Sequence, residues 1–124
     1  MTMDINGLEV LKMQLRQFVA ERDWRQFHTP KNLACALSVE AAELLEPFQW
    51  LKTGEADELD AKTRQEIAHE MADVLNYLVM LADRLQIDLI AAAQEKIVLN
   101  AQKYPVALAQ GNAQKYTKYG EQNK

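Results

Sequence analysis

The chain has 124 residues, a length suited to one domain. Its single cysteine, Cys35, closes no internal disulfide, and 18 acids against 14 bases leave a net charge of -4, the wrong sign for a broad nucleic-acid footprint. No stretch approaches the ~18 apolar residues of a membrane span, and the N-terminus lacks the basic-then-apolar pattern of a signal peptide, so a cytoplasmic protein with no membrane partner is expected.

Composition favours helix. Seventeen Ala and sixteen Leu stand against seventeen Val, Ile and Thr together, with four Gly and three Pro as breakers. The first helix is expected from about Asn6 to Arg22, with Leu8, Leu11, Leu15, Phe18 and Val19 on one face. Thr29-Pro30 reads as an N-cap and first-turn proline, opening a second helix that runs to about Glu46. Pro47 should kink or end it. Thr53 to Asp60 reads as a polar acidic loop, and a third helix follows from about Lys62 to Leu85. Asp88 is a plausible N-cap for a fourth helix, Leu89 to about Lys103, which Tyr104-Pro105 ends. The tail from Val106 shows no clear periodicity. These four helices with short connections predict an all-α, antiparallel four-helix bundle-like subunit, with one helical domain over residues 1–110 and a polar tail over 111–124.

Charge is spread unevenly. Glu40 to Asp73 holds ten acids and three bases. Within it, Glu40 and Glu43 stand at i, i+3 on the second helix, and Glu70 and Asp73 repeat that spacing on the third. Such residues are neighbours on a helix surface, so packing the two helices antiparallel lets both pairs converge. None of the four has a Lys or Arg at i+4, and Glu40 and Glu43 sit among Val39, Ala41, Ala42, Leu44 and Leu45. Unpaired acids in apolar surroundings are costly unless something binds them, and oxygen ligands suit Mg2+ or Mn2+. The plainer reading is a solvated helix face. A di-iron bundle would need two Glu-x-x-His motifs; only Glu66-x-x-His69 is present.

Other residues allow two readings each. Trp24, Phe27, His28 and Trp50 flank the second helix, where they either plug the bundle end or wall a nucleobase. Lysines near the end of the fourth helix either answer its dipole or bind an anion.

Glu40-x-x-Glu43 and, after 26 intervening residues, Glu70-x-x-Asp73 resemble the metal motif of the MazG-like all-α nucleoside triphosphate pyrophosphohydrolases. The resemblance is closer to the dCTP pyrophosphatase branch through several segments. These are Glu21-Arg-Asp-Trp24-Arg-Gln-Phe27-His28-x-Pro30-Lys-Asn32-Leu33, Phe48-Gln49-Trp50, Asp73-Val-Leu-x-Tyr77-Leu-Val79, Asn100-x-x-x-Tyr104-Pro105 and Lys115-Tyr116-Thr117. Val39 departs from the family's frequent paired glutamate, and Leu15 replaces a histidine of vertebrate members.

The resemblance implies Mg2+-dependent hydrolysis of a nucleoside triphosphate to monophosphate and pyrophosphate, with dCTP or a modified dCTP as substrate and nucleotide-pool sanitation as the role. It implies Glu40, Glu43, Glu70 and Asp73 as metal ligands and catalytic acids, with Mn2+ as a substitute ion. It assigns substrate contacts to Trp24, His28, Trp50, Tyr77, Lys96, Asn100, Lys103, Tyr104 and Lys115. It further implies a homo-oligomer, a tetramer before a dimer. The competing expectation is a non-catalytic helical adaptor, for which the acid pairs are ordinary surface.

Overall fold

The computed structural model describes residues 7–123, helices joined by turns and irregular segments, with no strand among them. The chain divides into two compact units, Met1–Ile87 and Asp88–Lys124, each described by itself. In the first, α1 (Gly7–Glu21), α2 (Pro30–Leu45) and α3 (Ala61–Leu85) pack together. The second holds α4 (Leu89–Lys103), the short α5 (Val106–Ala109) and a 3-10 segment, Tyr116–Asn123. Asn6, at the expected start of the first helix, and Lys124, at the end of the tail, lie outside the described residues.

The helix starts follow local chemistry. Thr29 Oγ1 accepts from the Asn32 N–H at 3.2 Å, and Pro30 takes the first helical position. Asn32 Nδ2 donates to the Phe27 carbonyl, tying the preceding Arg25–Phe27 turn to α2. Asp60 caps α3 through Thr63 N–H at 2.7 Å, and Asp88 caps α4 through Ala91 N–H at 3.0 Å. Pro47 acts as expected: α2 stops at Leu45 and Glu46–Phe48 tightens into a 3-10 turn.

The first unit's core is small. Val19 of α1, Leu33 of α2, and Ile67, Val79 and Ala82 of α3 are buried, and Leu33 is 1% exposed. Leu33 lines a cavity with Val79, while Glu40 and Glu43 meet Glu70. Ascending α2 therefore means descending α3, and the two helices run antiparallel. Leu33→Ala is expected to destabilise the protein by about 2–5 kcal/mol, read from urea unfolding, because it deletes buried methyl groups that the surroundings only partly replace.

The segment expected as a plain acidic loop is organised around one carboxylate. Glu58 accepts from the backbone N–H groups of Lys52, Thr53 and Gly54 and from Thr53 Oγ1, at 2.7–2.9 Å. Those donors hold its carboxyl down at about 2. Gly54 has φ 77°, and a Cβ there would meet the Phe48 ring at 2.8 Å, so the loop closes against the turn that ends α2. The carboxylate form stabilises the fold above its ordinary value of 4.5, and that contribution fades as pH falls toward 2. Glu58→Gln is therefore expected to melt below wild type at pH 7, with the difference shrinking in melts at pH 3.

The tail carries more structure than its lack of periodicity predicts. Tyr119 is 7% exposed and packs edge-on against Tyr104, 5.9 Å between ring centroids. Among the described residues, no helix is long and apolar enough to cross a membrane.

Candidate metal and nucleotide site

α2 carries Glu40 and Glu43 on one face, and α3 presents Glu70 to them. One carboxylate oxygen from each lies within 4.8 Å of the other two. All three are half-buried, and Oε2 of Glu40 and Oε2 of Glu70 are buried with no hydrogen-bond partner. No ion pair among the described residues involves them. A solvated helix face, the plainer reading, leaves these two buried oxygens without an explanation.

The electrostatics follow. Burial first, then a hydrogen bond and charge from Glu43, then the charges of Asp73 and Glu70, push the Glu40 carboxyl up to about 7. Burial and then the charges of Glu43 and Asp73 push Glu70 up as well. Asp73 is exposed and stands outside the three-oxygen group, although its charge reaches Glu40, Glu70 and Tyr77. The Tyr77 hydroxyl is raised by burial and then by Glu40, Asp73 and Glu43.

Such a cluster must share protons or hold a cation. Orphaned buried acceptors and an oxygen-only donor set fit a hard divalent ion of the Mg2+ or Mn2+ kind. The di-iron alternative lacks its imidazoles: His69 Nε2 pairs with Gln65 Nε2 at 2.9 Å, outside the group.

A cavity of about 250 Å³ opens in the same unit, floored by Leu15, Val19, Leu33 and Val79. His28 and Arg16 are on its wall, and Arg16 grips Asp83 through two bonds, Nε to Oδ2 at 2.8 Å and Nη2 to Oδ1 at 2.6 Å. This pair holds the Asp83 carboxyl low and ties α1 to α3. Trp24 stands beside the cavity residue His28, ring centroids 6.2 Å apart, with Phe18 on its edge at 5.8 Å. Trp50 is 87% exposed. From the apolar face expected on α1, Leu15 and Val19 thus also line a cavity. Arg16 and Asp83 carry no joint signal in the sequence, because they stand 67 positions apart and no motif joins them.

In the second unit, Lys96, Asn100 and Lys103 follow one another along one side of α4 and Tyr104 caps its C-terminus; all four are exposed. The Lys103 ammonium lies 5.2 Å from the centre of the Tyr116 ring, and Lys115 is the exposed residue just before that ring.

An all-α fold that sets glutamates from two antiparallel helices around one point is a recognisable class of acidic-centred helical protein. A sequence model of the MazG-like family matches residues 35–118, and the chain belongs to that family. It is 46% identical over 112 residues to dCTP pyrophosphatase 1 of Rattus norvegicus and 44% identical to that of Homo sapiens. Each alignment covers 89% of this chain and 66% of the relative, so the chain spans just under two thirds of those proteins. A crystal structure of a pyrophosphatase from Archaeoglobus fulgidus superposes with a TM-score of 0.75 at 40% identity, covering 85% of this chain and 98% of the other.

Proposed function

We propose that the chain is an Mg2+-dependent nucleoside triphosphate pyrophosphohydrolase of the cytoplasm. It releases a monophosphate and pyrophosphate, with dCTP or a 5-modified dCTP as preferred substrate and clearance of the nucleotide pool as its role. The observation that carries this reading is the convergence of Glu40, Glu43 and Glu70 with two buried, unpaired oxygens. The relatives named dCTP pyrophosphatase 1 support the substrate.

Glu40, Glu43 and Glu70 would hold the ion, with Asp73 as the fourth acid. Bound there, the ion supplies charge neutralisation for the triphosphate and orientation of the attacking water. A carboxylate of this group takes the water's proton. The base lies against His28 and Trp24, with Tyr77 beside the acids; Trp50, beyond the other end of the 16-residue α2 and so about 24 Å away along the helix, meets a base only from a second subunit of the oligomer. Lys96, Asn100, Lys103, Tyr104 and Lys115 supply donors for phosphate and sugar. Residues 1–110 act as one functional domain with the 111–124 tail contributing to the site.

The working form is a homo-oligomer, a tetramer before a dimer. Exposed apolar residues support this: Val10 and Met13 on α1, and Ile97, Val98 and Leu99 on α4.

Phosphorus NMR of dCTP incubated with the protein and Mg2+ tests the reaction class. Pyrophosphate with dCMP is expected. Orthophosphate with dCDP means a different hydrolase, and no turnover of any nucleotide with Mg2+ or Mn2+ favours the adaptor.

A further inference from the structure

The geometry points to Tyr119 as a positioning residue that fastens the tail to the end of α4 and so sets Lys115 beside Lys103 and Tyr104. The inference rests on the reading of those three residues as phosphate or sugar contacts, and adds a residue which that reading leaves without a role. Tyr104, at the C-terminal cap of α4, is the hub. Tyr116 meets its ring edge-on at 5.8 Å and 80°, and Tyr119 meets it at 5.9 Å and 86°. Lys103 reaches over the Tyr116 ring at 5.2 Å. The Lys118 N–H donates to the Lys115 carbonyl at 2.8 Å, so Lys115 opens the same turn whose far side carries Tyr119.

Tyr119 is the buried member of this group, 7% exposed against 37% for Tyr104 and 39% for Tyr116. Edge-to-face rings at this spacing attract beyond simple burial. The Tyr119 hydroxyl, however, is buried without a hydrogen-bond partner. The ring fastens the tail while the unpaired hydroxyl weakens the fastening, which suits a segment that must release product.

The test compares Tyr119→Ala, Tyr119→Leu and Tyr119→Phe in the full chain. Trypsin digestion followed by mass spectrometry reads the tail through cleavage after Lys115 and Lys118. Steady-state kinetics with dCTP and Mg2+ reads KM and kcat separately. In Tyr119→Ala, tail cleavage is expected to rise about tenfold, as a locally opened segment exposes its backbone. KM is expected to rise about tenfold at unchanged kcat, as for lost binding that ground and transition states share. Tyr119→Leu retains bulk without an aromatic edge and falls between Ala and wild type. Tyr119→Phe retains the ring and matches wild-type KM, with cleavage no faster.

An unchanged KM in Tyr119→Ala, with the wild type active, overturns the inference alone, even if the tail is cut faster. A KM rise that Tyr119→Phe shares overturns it too, because the ring would not then be the cause. A wild-type chain that turns over no nucleotide overturns the parent reading and this inference with it.

Discussion

Glu43→Gln is expected to lower turnover of dCTP about a thousandfold while the helical fold survives. Ion-assisted stabilisation of a phosphoryl transition state is worth several kcal/mol, and each ~1.4 kcal/mol is a factor of ten in rate. Glutamine keeps the side chain's shape and removes the charge. Glu43 contributes to the raised carboxyls of both Glu40 and Glu70, so the ion-free variant should melt at or above the wild-type temperature. Loss of turnover with an unchanged or higher melting temperature separates the site from the fold. Full activity would remove Glu43 from the ion's ligands. Asp73→Asn is expected to lose turnover to a similar extent, although Asp73 stands outside the three-oxygen group.

The second large effect is stabilisation by Mg2+ that grows with pH. Glu40 is held at about 7 against an ordinary 4.5. Between those values the folded chain binds more protons than the unfolded chain, so stability falls as pH rises through that window. Above it, the ionised cluster bears its full repulsion. A divalent ion replaces the shared proton and relieves that repulsion, and it binds best where the carboxylates are ionised. With free Mg2+ at 100 times its Kd, the melting temperature is expected to rise on the order of 10 °C at pH 8. At pH 5.5 the rise should be much smaller. Glu40→Gln should raise the ion-free melting temperature at pH 8 and abolish most of the response to Mg2+. An equal response at both pH values would contradict this account of the cluster.

The parts of the fold that local chemistry dictates were legible in the residues. Thr29-Pro30 marks a helix start because a hydroxyl and a missing N–H answer the same open donors. Asp88 does so by the same logic. Glu40, Glu43 and Glu70 could be paired from spacing because three-residue separation on two antiparallel helices leaves few ways to meet. The Glu58 loop was not legible: its partners are backbone N–H groups, which every residue but proline offers. The four-residue α5 is shorter than any window in which helical periodicity can be seen. Tyr119 could not be distinguished from an exposed tail aromatic, since its burial depends on Tyr104 fifteen positions earlier. Arg16 and Asp83 are drawn together by the packing of α1 on α3.

The direct measurement is anomalous diffraction from a crystal grown with Mn2+ and a non-hydrolysable dCTP analogue. A peak about 2.0–2.2 Å from oxygens of Glu40, Glu43 and Glu70, with the analogue's phosphates in contact with it, is the predicted result. Those three side chains turned apart, with the ion bound elsewhere or the phosphates away from it, would contradict the account.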